Sequence, residues 1–233
     1  MPDIFAKLGE VKQLAIFPLP LVLLPNEFLP LHIFEDRYRE MLTNVGGKNG
    51  TFGVSLFDAE SNLGDRPEPG TVGCAAEIRE IETLDDARSN IITLGTMRYR
   101  LIDYVDVGTS YFTADVAFFA DEADDDGRDE ETLADDVFTL FQRVADAAFK
   151  MSGNRGRLPD ITRGSPEQLS FLVGAAFNFD NELKYELLAM TSTATRLERI
   201  KAILTQMVSQ MEESADIHAR SRTNGHSKKK LDI

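Results

Sequence analysis

The spacing of apolar residues changes abruptly near residue 121, and this change constrains the fold more than any other feature of the sequence. Up to about residue 120, short apolar or alternating runs are separated by Gly, Pro, Asn and Asp, a pattern typical of strands and turns. Beyond that point apolar residues recur at spacings of three and four, which predicts helices. One short helix, at about residues 35–43, is predicted among the strands. The candidate strands are Leu14–Phe17, Phe28–Ile33, Phe52–Phe57, Cys74–Ile81, Ile91–Thr96, Tyr99–Val105 and Tyr111–Phe119.

An acidic stretch, Asp121–Asp136, separates the two halves and contains a lone cation, Arg128. Like charges repel one another and stay hydrated, so we predict a solvated boundary near Asp121–Glu131 with little to bury. Acidic residues in a first helical turn also favour the positive end of the helix dipole. The boundary therefore leads into a long helix.

Four helices are predicted after this boundary. The first carries apolar residues from Leu133 to Met151 on one face. The second begins at Ser165-Pro166-Glu167-Gln168, where Ser can cap the helix, Pro can take its first position and Gln can return a hydrogen bond. Asp180 is the predicted cap of a third helix that ends at Ala189. The last helix begins near Thr191 or Ser192, and its apolar stripe ends near Glu213.

Several short motifs occur in an order that matches a known family. Residues 17–38, FPLPLVLLPNEFLPLHIFEDRY, combine a proline-punctuated strand, a β-run ending in an aromatic residue and a short helix that begins Glu-x-Arg-Tyr. The further matching segments are Phe52–Leu56, Val72–Ile78, Gly95–Leu101, Glu186–Leu188 and Arg196–Ile200. From about residue 14 to 210, the sequence resembles the N-terminal substrate-binding domain of the Lon proteases.

The resemblance implies an α+β fold. An N-terminal PUA-like antiparallel β-barrel domain, residues 1–120, is expected to precede a C-terminal α-helical bundle, residues 121–212. Residues 213–233 are predicted to form a disordered basic tail. The function that the resemblance implies is recognition of unfolded or tagged protein segments, with a separate protease as a further candidate partner. We therefore expect a stand-alone, non-catalytic module that acts as an adaptor or regulator in protein quality control.

The catalytic motifs of full-length Lon proteases do not occur in this sequence. A Walker A loop requires Gly-x-x-x-x-Gly-Lys-Ser/Thr, whereas Gly46-Gly47-Lys48-Asn49 has adjacent glycines and Asn in place of the hydroxyl residue. We expect no proteolytic domain with a Ser–Lys dyad, since the chain ends before one would begin. With three histidines, two of them near the tail, neither a catalytic triad nor a multi-histidine metal site is expected. We predict no enzymatic activity, no cofactor and no metal.

Composition narrows the class of partner. The net charge of −14 disfavours the phosphate backbone of nucleic acids. Cys74 is the only cysteine, so an internal disulfide is excluded and a reducing compartment fits. No signal-like segment is evident, and prolines interrupt the most apolar run, so we expect a cytoplasmic chain that does not contact the membrane. Two alternatives stay open: a PUA-like protein that binds RNA or a small ligand, and an unrecognised hydrolase, for which no catalytic constellation is evident.

Five residues are the candidate peptide-binding positions: Leu21, Leu23, His32, Arg37 and Arg98. The proline-flanked loop that contains Leu21 and Leu23 fits either an exposed docking surface or the core. His32 fits either a contact or a structural role. The two arginines lie in the family-like motifs and fit either a binding groove or ion pairs with carboxylates such as Glu35 or Glu77.

Overall fold

A computed structural model describes residues 11–46, 49–58, 64–123, 127–151 and 162–224 of the chain. These residues form six strands and five helices, an α+β arrangement in which the strands precede all helices except one. The strands are β1 (Val11–Leu19), β2 (Phe28–Ile33), β3 (Thr51–Leu56), β4 (Val72–Thr83), β5 (Ser89–Val105) and β6 (Phe112–Phe119). The helices are α1 (Asp36–Asn44), α2 (Glu130–Met151), α3 (Pro166–Ala176), α4 (Asn181–Ala189) and α5 (Thr193–Asn224).

The six strands form one mixed sheet in the order β2-β5-β4-β3-β1-β6, and β6 also pairs with β5. Five strands therefore form a closed circuit of pairings, in the order β5-β4-β3-β1-β6 and back to β5. Strand β2 lies outside this circuit. The prediction of an antiparallel sheet is wrong for one pair, because β1 and β3 are parallel. Parallel neighbours require a crossover connection, and the chain makes it through β2 and α1 between these two strands.

Strand β5 corrects a second prediction, since the two strands expected at Ile91–Thr96 and Tyr99–Val105 are one continuous strand. Gly95 lies in the middle part of this strand and allows the close approach of another segment. A Cβ atom on Gly95 would lie 2.1 Å from the backbone oxygen of Leu24. The Gly95 oxygen accepts a hydrogen bond from the backbone nitrogen of Asn26, and the Gly95 nitrogen donates to the Glu27 oxygen. The chain segment that leads into β2 is therefore docked on the middle of β5.

The helix boundaries agree closely with the sequence signals. Ser165 and Gln168 form the capping box at the start of α3, and Asp180 caps α4 through the backbone nitrogen of Leu183. Helix α5 begins at Thr193, with Ser192 accepting from the backbone nitrogen of Thr195. The predicted tail is corrected in part, because the backbone stays helical as far as Asn224. Residues 225–233 lie outside the described part of the chain.

The apolar interior does not divide at residue 121. One buried cluster joins strand and loop residues to Phe171 of α3 and Leu188 of α4. A second cluster lies among the helices α2, α3, α4 and α5, and a third lies among the strands β1, β4, β5 and β6. Because α3 and α4 complete the core under the sheet, removing them would expose apolar surface on the strand-rich half. None of the helices in the described ranges is both long enough and apolar enough to cross a bilayer.

The most consequential correction concerns Asp121, which was expected in a solvated boundary, whereas its side chain is only 10% exposed. Its carboxylate receives hydrogen bonds from Arg98 of β5, from Arg196 of α5 and from the hydroxyl of Thr193. Both arginines are buried, and Arg196 Nε also donates to Ser170 Oγ at 2.7 Å. The acidic run therefore begins with the carboxylate that joins the sheet to the last helix.

The charges around Asp121 oppose the effect of burial. Burial raises the pKa of this carboxyl, but the hydrogen bonds and positive charge of Arg196, together with Thr193 and Arg98, lower it below its ordinary value. Burial lowers the pKa of Arg98, while the charge of Asp121 raises it and that of Arg196 lowers it. The carboxylate therefore holds together two buried cations that would otherwise repel one another.

We predict that Asp121→Asn strongly destabilises the chain, because among the described residues Asp121 is the only carboxylate that pairs with both arginines. Breaking a buried ion pair on one side costs about 3–5 kcal/mol. Urea unfolding should show the free energy of unfolding reduced by about this amount. Asp146→Asn, on the exposed face of α2, is the matched control and should change it by less than about 0.5 kcal/mol. Equal effects of the two substitutions would contradict the assigned role.

We also predict a specific acid sensitivity. The pKa of Asp121 is lower in the folded chain than its unfolded value of about 3.9. The contribution of this carboxylate to the free energy of unfolding is therefore complete above the unfolded pKa, and it is lost as pH falls through the folded pKa. The urea midpoint of the native chain should therefore fall steeply below about pH 4. The Asp121→Asn variant should show a flatter dependence in this range, whereas Asp146→Asn should keep the native slope.

Candidate functional site

Strand β2 exposes alternate side chains along its length. Phe28, Pro30 and His32 are exposed, whereas Leu29 and Leu31 are partly buried against the core. This alternation follows from the period of two in a strand, which sends successive side chains to opposite sides of the sheet. The exposed side of β2 is unusual because it carries Phe28, whose side chain is 65% exposed.

The neighbouring strand and the following loop extend this exposed surface. Ile92 of β5 lies opposite Pro30 and is 36% exposed, and Phe34, just after β2, is 59% exposed. The ring of Phe34 is stacked with that of His32 at a centroid distance of 6.0 Å. We call Phe28, Pro30, His32, Phe34 and Ile92 the β2 face. Single exposed apolar residues are ordinary, but several together typically mark a contact surface.

A row of polar side chains crosses three strands beside the β2 face. His32 Nδ1 donates to Asn90 Oδ1 at 2.7 Å, and Asn90 Nδ2 donates to Glu82 Oε2 at 3.0 Å. The Asn90 amide is oriented by the carboxylate, which can only accept, and this orientation presents its oxygen to His32. The His32 ring is therefore fixed in place at one end of the apolar surface.

The start of β2 is held by a polar anchor. Glu27 accepts a hydrogen bond from the backbone nitrogen of Leu24 at 2.8 Å and pairs with Lys184 of α4 at 2.7 Å. Asn26 turns the chain with a φ of 65°, in the left-handed region that Asn tolerates better than most residues. With Gly95 beneath this turn, the edge strand has a fixed position relative to both the sheet and α4.

A groove of about 560 Å³ lies between α1 and the β4–β5 hairpin. Its lining mixes apolar residues such as Ile81 with charged ones, and the Arg39–Asp36 ion pair lies along it at 2.8 Å. Within the described ranges, no group of three or more His, Cys, Asp or Glu side chains is arranged to hold a metal ion. The groove is more polar than the β2 face and carries fewer exposed apolar side chains.

The five residues singled out from the sequence do not converge on one surface. Leu23 and Arg98 are buried, the first in the core and the second against Asp121, and Leu21 packs partly buried against the core. Arg37 is exposed on α1, where it pairs with Glu35 at 2.8 Å. His32 alone belongs to the β2 face. In this structure Leu23 and Arg98 are therefore enclosed by contacts within the chain.

Sequence reasoning missed the apolar residues of the β2 face, namely Phe28, Phe34 and Ile92. A signal for the first was present, because proline within a strand is typical of an edge strand. If Pro30 marks an edge, the period of two places Phe28 and His32 on the same side as Pro30. No comparable signal was available for Ile92. This residue lies on the same side of the sheet as Phe28 because the register of β5 with β2 places it opposite Pro30.

The chain matches the model of a known protein family. The family model described as the substrate-binding domain of the ATP-dependent protease La (LON) matches residues 13–206. This chain belongs to that family. The Lon match begins within β1 and ends within α5. It includes all the other strands and helices of the described structure.

Two solved structures of Lon N-terminal domains share the fold. One is the crystal structure of a Lon N-terminal domain protein from Xanthomonas campestris, with a TM-score of 0.58 and 20% sequence identity, covering 82% of this chain and 98% of that one. The other is the N-terminal domain of the Mycobacterium avium complex Lon protease, with a TM-score of 0.60 and 17% identity, covering 83% and 98%. At these identities the likeness establishes the Lon fold and leaves the contact surface to be judged from this chain's own residues.

We predict that Gly95→Ala disturbs the anchor of β2. The added Cβ would meet the backbone of Leu24, which cannot move like a flexible side chain, so overpacking should cost about 1–3 kcal/mol. Gly64→Ala is the matched control, because its nearest contact would be an ordinary 3.6 Å. Hydrogen exchange should show faster opening of β2 in the Gly95 variant only. Unchanged exchange in both variants would contradict the role of Gly95.

Proposed function

We propose that the chain binds non-native polypeptide segments through the β2 face and serves as a recognition module for protein quality control. The observation that carries this proposal is a cluster of exposed apolar side chains, Phe28, Phe34 and Ile92, on a chain of the Lon substrate-binding family. Covering apolar surface of this kind stabilises a complex by about 25 cal/mol for each Å² removed from water. Unfolded segments expose apolar side chains that folded proteins have already buried.

The position of the β2 face supports this role. It lies at one end of β5, away from the buried Arg98 and Asp121 that join the sheet to α5. Binding there can proceed without opening the core. The net charge of −14 favours polypeptide over nucleic acid, because phosphate groups would meet a repulsive field. Delivery of the bound segment to a separate protease is the adaptor form of this proposal.

The test uses the native chain and labelled, permanently unfolded polypeptide, with fluorescence anisotropy as the readout. The double substitution Phe28→Ser and Phe34→Ser should weaken binding at least about tenfold, the effect of about 1.4 kcal/mol of lost apolar contact. Ile102→Ser is the matched control, because Ile102 is 45% exposed on β5 but lies outside the β2 face. Circular dichroism establishes that each variant is folded.

Salt and competing RNA complete the test. Apolar contacts are not screened by ions, so polypeptide binding should weaken only modestly from low to high salt, whereas phosphate contacts weaken steeply. Labelled RNA should bind weakly or not at all. The proposal would be abandoned if RNA bound more tightly than polypeptide, or if the Ile102 variant lost as much affinity as the Phe28 and Phe34 variant.

A further inference from the structure

Strand β2 forms an edge of the sheet. It pairs with β5 alone, and β5 is the only described helix or strand that makes extensive contact with it. The remaining strands belong to the closed circuit of pairings, in which each has two neighbours. An edge strand presents a row of backbone groups that another extended chain can pair with. Among the described strands, β2 is therefore the one that has a neighbouring strand on one side only along its whole length.

The hydrogen bonds around β2 identify which backbone groups face outward. Hydrogen bonding alternates along an antiparallel pair, so every second residue points its N–H and C=O to the same neighbour. The Gly95 nitrogen donates to the Glu27 oxygen at 2.9 Å, and the Thr93 hydroxyl donates to the Leu29 oxygen at 3.0 Å. Residues 27, 29, 31 and 33 therefore face β5, and residues 28, 30 and 32 face away from it.

The outward row consists of the N–H groups of Phe28 and His32 and the C=O groups of Phe28, Pro30 and His32. Pro30 has no N–H to offer, which interrupts the row at its centre without harming the ladder to β5. Proline at such a position is a device by which natural sheets limit edge-to-edge association. The edge is therefore open to pairing but weakened at one position.

The same three residues carry exposed side chains of the β2 face. An extended segment lying along this edge would extend the sheet by one strand, with its alternate side chains beside Phe28, Pro30 and His32. Its intervening side chains would lie beside Leu29 and Leu31, which are only partly buried. Backbone pairing and apolar contact are thus available to one and the same ligand.

We propose that the bound segment is an extended polypeptide that joins β2 as an additional strand of the sheet; this inference rests on the proposed function and specifies its binding mode. The preferred occupant has apolar residues at alternate positions, no proline and a net positive charge, which complements the net charge of −14. Backbone pairing does not depend on which side chains the bound segment carries. It also distinguishes unfolded chains from folded ones, whose backbone groups are already paired.

The first experiment compares three synthetic peptides with identical side chains, alternating Val or Phe with Lys or Thr. One is unmodified, and the others carry backbone N-methyl groups on the odd or on the even residues. The apolar alternation fixes the register, so only one set of N–H groups faces β2. We expect one methylated peptide to lose at least about tenfold in affinity and the other to bind like the unmodified peptide.

The second experiment changes the edge of the protein. Pro30→Ala supplies the missing outward N–H and should tighten binding about two- to tenfold, the effect of one hydrogen bond. Loss of the proline ring by itself would weaken binding, so a gain is diagnostic. His32→Pro removes an outward N–H and should weaken binding more than His32→Ala, which removes only the side chain. Circular dichroism and urea unfolding verify the fold of each variant.

Each outcome has one meaning. If both methylated peptides bind as well as the unmodified one, the segment does not pair with β2, and this inference is overturned while the proposed function stands. If none of the peptides binds, the proposed function itself fails. If Pro30→Ala produces a dimer in analytical ultracentrifugation without tighter peptide binding, the occupant of the edge is a second copy of the chain, which also overturns the inference.

Discussion

The pairing of the Asp121 carboxylate with two buried arginines is the interaction on which the rest of the structure depends. It lies between Arg98 of β5 and Arg196 of α5, and neither arginine has another carboxylate in direct contact within the described chain. Burying three charges is costly, and well-packed apolar residues often stabilise a core as much or more. Such a network adds directionality, because its hydrogen bonds are satisfied when α5 docks with Arg196 facing Asp121. The two arginines also stack on the ring of Phe171, which ties α3 to the same point.

Strand β5 transmits this fixed geometry to the candidate site. One part of the strand, around Arg98, pairs with β4 and β6 and meets the helices, while the part from Ser89 to Leu94 pairs with β2. A single continuous strand therefore carries the structural junction at one point and the β2 face at another. Because the β2 face lies outside the closed circuit of pairings, it can be exposed without loss of the core. Gly95 lies between these two parts, where the loop before β2 is docked.

An exposed apolar edge is a risk to a soluble protein, since edges pair with other edges. In this chain the edge is short and contains Pro30, so the backbone row is interrupted, and His32 is held by the hydrogen bonds to Asn90 and onward to Glu82. The chain thus presents an apolar edge that is interrupted by Pro30. This arrangement fits the proposed binding of extended segments.

Local chemistry made much of the fold predictable from the sequence by itself. The strand at Phe28–Ile33, the capping box at Ser165, the cap at Asp180 and the family motifs all depend on residues close together in the chain, where alternation and hydrogen-bonding preference act directly. The sequence led to only part of the candidate site: His32 lies on the β2 face, whereas Leu23 and Arg98 are buried and Ile92 was not among the candidates. Those outcomes required the tertiary structure, because contacts distant in sequence decided them. Arg98 is buried since Asp121 and Arg196 come together around it, and Ile92 joins the β2 face since the register of β5 places it opposite Pro30. Sequence periodicity determines that a residue lies on one side of a strand, but the packing of the whole chain determines which side becomes the interior.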